Sequence, residues 1–192
     1  MSVPAMARRY LPEILAADPT GPYLLAGACM GGLVALELAQ LLREQNRPVG
    51  LVALLDVLHP MQSGQRQGWR EKIYCPLRDN LRDALRIARW SILRISSVSR
   101  SARGLAEYRR FVANMNFLAS RFYQLKPYAG TLTLLIAAGE NHPEPDRRLL
   151  LRRYALDSIV HRIPGDHTGF YTKPGVEALA RQLQACLEAA EK

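Results

Sequence analysis

Tyr23-Leu24-Leu25-Ala26-Gly27-Ala28-Cys29-Met30-Gly31-Gly32 is the stretch from which the fold follows. An apolar, strand-like segment leads into Gly27-Ala28-Cys29-Met30-Gly31, and a helical segment, residues 33–44, leads out. Strand, G-x-nucleophile-x-G, helix is the pattern of a nucleophile elbow. The turn is so sharp that Cβ groups at the flanking positions, Gly27 and Gly31, are expected to collide with the neighbouring strand and helix. The residue between them sits at a helix N-terminus with its side chain pointing into the open. The helix dipole and the unpaired N–H groups there favour a thiolate. The usual serine of such elbows is a cysteine here. A buried cysteine in an ordinary strand-turn-helix would show the same short pattern, so the rest of the chain has to decide.

Upstream, residues 3–17 read as a helix with Met6, Tyr10, Leu11 and Ile14 on one face, stopped by Asp18-Pro19-Thr20-Gly21-Pro22. Downstream, the helix over 33–44 is apolar on most of its surface, as a helix packed on a sheet inside a domain would be. Val49-Gly50-Leu51-Val52-Ala53-Leu54-Leu55 is then a continuous apolar run ending at Asp56. Such runs suit parallel strands covered on both faces, and strand, helix, strand makes a right-handed βαβ unit. Cys29 and Asp56 thus stand at the carboxyl ends of neighbouring parallel strands. That is the edge where open α/β sheets place their sites. A helix cap or a solvated loop acid is the plainer reading of Asp56 taken alone.

The sheet pattern stops between residues 61 and 126. Residues 76–96 read as an amphipathic helix with Arg78, Arg82, Arg86 and Arg89 on its basic face, and a second helix is expected from 102 to 123. The formal net charge of +9 is concentrated here: residues 61–126 carry 14 Lys/Arg against 4 Asp/Glu, a balance of +10, and the remainder of the chain balances to −1. Nucleic-acid binding is disfavoured, because no recognised motif is present and the arginines interleave with an apolar helical stripe. A solvated surface is the plain reading of the basic face. An acidic partner docking on it is the sharper one.

Gly130–Gly139 reads as the next strand and its exit turn, 140–146 as a polar loop, 147–154 as a short helix and 158–163 as a short strand. Pro164-Gly165-Asp166-His167-Thr168-Gly169-Phe170 follows. A final helix carries Val176, Leu179, Ala180, Leu183 and Leu187 on its apolar face. The order is therefore nucleophile, acid, histidine: Cys29, Asp56, His167. A thiol needs a base within hydrogen-bond reach to attack an acyl carbon, and the imidazole needs a carboxylate to fix its tautomer and stabilise its charged form. A loop histidine just before the last helix fits that role. His142 lies in a Pro-rich loop, His161 inside a strand and His59 in the acid's own turn, and each fits less well.

The length of 192 residues suits one domain with a real core, with apolar content 48% and charged content 22%. No apolar run approaches a membrane span, and the N-terminus lacks the order of a secretory signal. Cys29, Cys75 and Cys186 offer neither a disulfide framework nor a zinc pattern, so no metal is expected and a reducing cytoplasm is the expected compartment.

The combination resembles the thioesterase domains that end nonribosomal peptide and polyketide synthases. It is carried by Gly21-Pro22-Tyr23-Leu24-Leu25-Ala26-Gly27 with the elbow, Leu51–Asp56, Tyr128-Ala129-Gly130-Thr131-Leu132-Thr133-Leu134, Pro164-Gly165-Asp166-His167-Thr168, and Met6-Ala7-Arg8-Arg9-Tyr10 ahead of the elbow strand. The resemblance spans nearly the whole chain. It implies a single α/β-hydrolase domain, with core 1–60 and 127–192 and a helical lid 61–126. It also implies release of an acyl or peptidyl chain from the phosphopantetheine arm of a carrier protein, with no cofactor of the enzyme's own. The acid follows the strand after the elbow helix in this family, as Asp56 does. Most other α/β-hydrolases carry it one strand later, where Glu140 or Asp146 would be candidates.

Two departures from the family pattern bear on function. Its nucleophile is usually serine, and a Cys29 thioester leans toward acyl transfer or amide-forming release. The family also has two strands and a helix ahead of the position of Met1, and a loop there supplies one of two oxyanion-hole donors. The resemblance then leaves the backbone N–H of Met30 as the donor here, and losing one such donor costs on the order of 10²–10³ in rate. It also leaves strand 23–28 an open apolar edge, which invites pairing with another chain. Two alternatives stand beside an active thioesterase. One is a weak or inactive fragment that binds a carrier protein or partner chain. The other is a cysteine hydrolase like the dienelactone hydrolases, which share the G-x-C-x-G elbow and would use Asp146 or Glu140 as the acid.

Overall fold

The computed structural model describes residues 2–57, 102–139 and 152–190. The chain divides into two compact units, Met1–Pro60 with Ala119–Lys192, and Met61–Leu118. The first unit takes up the chain again at Ala119. The reason is packing: Ala119, Tyr123 and Leu125 are buried in the main apolar cluster of the first unit. Of the second unit, the described part is most of helix α3 (Ala102–Arg121). The basic helix expected at 76–96 lies outside the described residues.

The first unit opens with α1 (Val3–Ala17), whose N-cap Ser2 accepts a hydrogen bond from the Ala5 N–H. Asp18 ends it. The Asp18 carboxylate accepts from the Thr20 and Gly21 amides, each at 3.0 Å, and these bonds hold its carboxyl below the usual range. Among the described residues four strands follow: β1 (Tyr23–Ala28), β2 (Val49–Leu55), β3 (Tyr128–Ala137) and β4 (Ala155–Ile163). They form one sheet in the order β1-β2-β3-β4, and every pair is parallel. β3 and β4 begin earlier than their apolar runs suggested, because Tyr128 pairs with Ala155 ahead of the buried stretch.

The two-residue alternation of β2 explains its unbroken apolar run. Val52 and Leu54 enter one cluster with α1 and α2 (Met30–Glu44), while Leu51 and Ala53 enter a second with α4 (Gly175–Ala190). Helices cover both faces, so neither face of β2 has room for a polar residue.

α2 is buried along most of its length, and one of its buried residues is a carboxylate. Glu37 is 1% exposed. Its Oε2 accepts from the Tyr123 hydroxyl at 2.7 Å, and its Oε1 lies 3.6 Å from Lys126 Nζ. A buried charge persists only when it is paired and hydrogen-bonded. This cluster ties the segment that leaves α3 to the helix that leaves the elbow.

Among the described residues, β1 is paired on one side only. The Tyr23 and Cys29 amides donate to Pro48 and Leu55 carbonyls, so the intervening even-numbered amides face away from β2. Ala26 and Ala28 are exposed. An apolar cavity of about 390 Å³ opens along this edge between α1, β1 and α2.

Candidate active site

β1 ends at Ala28 and α2 begins at Met30, three residues before the apolar pattern marks it. Cys29 alone makes the turn, at φ 49° and ψ −123°. A non-glycine residue in the left-handed region is strained and persists where its surroundings hold it. Two glycines do the holding. A Cβ on Gly27 would lie 2.3 Å from the Gly31 carbonyl oxygen, and one on Gly32 would lie 2.2 Å from Val57 Cγ2. The expected collision at Gly31 is not there, since a Cβ at that position meets nothing within 4 Å. Gly31 points off the elbow toward open space, and Gly32 is the residue on which α2 approaches β2. The Cys29 side chain is exposed and makes no capping hydrogen bond, so Sγ is free to turn outward. Met30 occupies the first helical position, where a helix offers the backbone N–H no partner of its own.

Asp56 also departs from the strand in a left-handed conformation, at φ 47°. Its amide donates to the Leu135 carbonyl at 2.8 Å. Its carboxylate is buried, and the Ala137 N–H donates to Oδ1 at 3.0 Å. Oδ2 faces His167 Nδ1 at 2.5 Å. The histidine loop is fixed from below. Asp166 Oδ1 accepts from the Thr168 and Gly169 amides, the Phe170 amide donates to the Asp166 carbonyl, and the Phe170 ring is fully buried against the sheet face that carries α4. His167 Nε2 then stands 3.5 Å from Cys29 Sγ.

The electrostatics assign the protons. A carboxylate only accepts, so His167 Nδ1 carries the hydrogen toward Asp56, and Nε2 presents its lone pair to the thiol. Although Cys29 is exposed, desolvation by the surrounding protein pushes its thiol up from the ordinary value, and the Asp56 charge adds to the shift. A hydrogen bond from Tyr171 acts in the opposite direction. Desolvation thus opposes the thiolate that the helix N-terminus favours, and Nε2 stands where it can take the Sγ proton.

The structure brings Cys29, Asp56 and His167 together. It places His161 elsewhere, on β4, with Nε2 3.8 Å from the sulfur of Cys186 on α4. Glu140, Asp146, His59, His142 and Cys75 lie outside the described residues. Two contributors escaped the sequence reading. Asp166 had a signal, since Asp-x-Thr-Gly is a side-chain-capped turn. Tyr171 had none, because a tyrosine four residues past the histidine has no pattern that aims its hydroxyl at the nucleophile.

A mostly apolar parallel sheet between two helical layers, with a strained cysteine elbow at its carboxyl edge, is the architecture of an α/β-hydrolase. The Thioesterase domain family model matches residues 1–187, and the chain belongs to this family. The "Thioesterase pytI" of Aspergillus terreus is 40% identical over 60 residues, 31% of this chain and 19% of that protein. The "Malpinin synthetase" of Mortierella alpina is 44% identical over 55 residues, 29% of this chain and 1% of that protein. The chain thus spans less than a fifth of these curated relatives. Among solved structures, the NocB thioesterase domain from the nocardicin cluster superposes with a TM-score of 0.67 at 21% identity, covering 98% of this chain and 74% of that one. The RedJ thioesterase from the prodiginine biosynthetic pathway in Streptomyces coelicolor superposes with a TM-score of 0.65 at 20% identity, covering 96% and 68%. At those identities the likeness establishes the fold. No helix among the described residues is long and apolar enough to cross a membrane.

Proposed function

We propose that this chain is a thioesterase-type acyl hydrolase or transferase that works through a Cys29 acyl-enzyme. The observation that carries the reading is the unbroken relay from Sγ to His167 Nε2 at 3.5 Å and from Nδ1 to Asp56 Oδ2 at 2.5 Å. His167 takes the Sγ proton as the sulfur attacks the acyl carbon. The oxyanion accepts a hydrogen bond from the Met30 N–H. Collapse expels the thiol of the donor, which recovers the proton from Nε2. Asp56 supports the imidazolium while it exists and holds the ring in its productive tautomer. Water or an amine then repeats the sequence, and Sγ leaves.

Membership of the thioesterase family supports a thioester substrate. The substrate we propose is an acyl or peptidyl thioester, presented on the phosphopantetheine arm of a carrier protein in a reducing compartment. A thioester acyl-enzyme reacts more readily with amines than an oxygen ester does, which favours acyl transfer alongside hydrolysis. The test is release of free thiol from an acyl-pantetheine thioester. Wild type is expected to turn over, with His167→Ala slower by about 10³-fold or more. Equal rates for the two proteins would remove the reading.

A further inference from the structure

Tyr171 stands within reach of the reacting sulfur, and none of the roles above uses it. It closes the 3-10 turn Gly169–Tyr171 that follows His167, and its hydroxyl lies 4.0 Å from Cys29 Sγ. Two edge-on ring contacts fix the phenol. Its centroid is 5.0 Å from that of Phe170 at 67° and 6.1 Å from that of His167 at 88°. Phe170 is fully buried, so the ring rests on the core while its hydroxyl reaches the sulfur.

We propose that the Tyr171 hydroxyl is a catalytic group of this site. It donates a hydrogen bond to Sγ whenever the sulfur carries negative charge. The proposal rests on the acyl-enzyme reading above and deepens it. The sulfur is anionic twice per cycle. On attack, its proton passes to His167 Nε2 and its electron pair forms the bond to the acyl carbon. On release, the tetrahedral adduct of the incoming water or amine collapses, the carbon–sulfur pair returns to Sγ, and His167 gives its proton back. Tyr171 keeps its own proton throughout. Although Tyr171 is 39% exposed, desolvation by the surrounding protein pushes its hydroxyl above the ordinary phenol range, and the Cys29 and Asp56 charges act in the same direction.

A donor to a thiolate also tempers its nucleophilicity, so attack gains little. Departure of Sγ gains in full, because a lower-pKa thiol leaves faster. Deacylation is therefore the step that depends on Tyr171. A residue that merely packed against His167 would slow both steps.

The test is Tyr171→Phe, which keeps both ring contacts and removes only the hydroxyl. Two readouts apply. The first is the pH profile of iodoacetamide alkylation at Cys29, followed by peptide mapping. Its midpoint should rise by about half a unit to one unit in the variant, the scale of one hydrogen bond to a charged group. The second is the lifetime of the acyl adduct on Cys29, which should lengthen about tenfold while its formation changes about twofold or less. Superimposable alkylation profiles with equal adduct lifetimes would overturn the proposal. If wild type forms no adduct at all, the acyl-enzyme reading fails, and the alkylation profile still decides whether Tyr171 bonds the thiolate.

Discussion

The described residues hold two cysteine–histidine pairs, and their sulfur–nitrogen distances nearly match: 3.5 Å for Cys29 with His167 and 3.8 Å for Cys186 with His161. Their surroundings differ in every respect that matters for catalysis. Cys186 lies within α4, half buried, with Gln182 donating to its sulfur from one turn earlier. His161 lies within β4, and among the described residues no carboxylate reaches it. Cys29 sits on a left-handed elbow that aims its sulfur outward, and His167 has a buried carboxylate behind it. Proximity of thiol and imidazole is thus cheap in this fold. A third group to polarise the base, a backbone that presents the sulfur, and access for a substrate are what separate the two pairs.

That contrast can be broken at several points. Asp56→Asn should lower thioester turnover by about 10³–10⁴, because an amide in place of the carboxylate favours the wrong imidazole tautomer. His161→Ala, which strips the other pair of its base, should change turnover about twofold at most. Equal losses in a thiol-release assay would erase the distinction between the pairs.

The elbow itself is the next point. Gly32→Ala drives a methyl into Val57 and should cost about 1–3 kcal/mol of stability, read as a lower melting temperature with turnover falling in step. Gly31→Ala adds a methyl to open space inside a helix and should leave stability within about 1 kcal/mol of wild type, on the favourable side. The same losses in both variants would mean that the two glycines are not distinguished by packing.

The smallest effect concerns protonation. Alkylation requires the thiolate, and burial raises the Cys29 thiol. The alkylation rate at Cys29 should therefore keep climbing as pH rises through the ordinary thiol range and level off only above it. A plateau already reached at neutral pH would show that Cys29 rests as a thiolate.

Much of this was legible in the sequence, for identifiable reasons. The elbow, the βαβ unit and the carboxyl-edge positions of Cys29 and Asp56 follow from glycine spacing and from apolar runs of the right period. A strand covered on both faces, such as β2, can hardly be written any other way. Side-chain contacts that cross the fold leave no such trace. Nothing near Glu37 marks it as the buried partner of Tyr123, since an acid at that spacing on a helix usually faces water. The motif names Gly31 and leaves Gly32 outside it, and only the approach of Val57 shows that Gly32 is the one held by packing. The raised thiol was missed because the helix N-terminus is visible in sequence and desolvation is not.

The most direct test is an intact-protein mass spectrum after mixing the chain with a simple acyl thioester, followed by peptide mapping. One acyl group is expected on Cys29 and none on Cys186, with no adduct in Cys29→Ala and slower formation in His167→Ala. An adduct on another residue, or undiminished thioester turnover by Cys29→Ala in a chain that melts cooperatively, would contradict it.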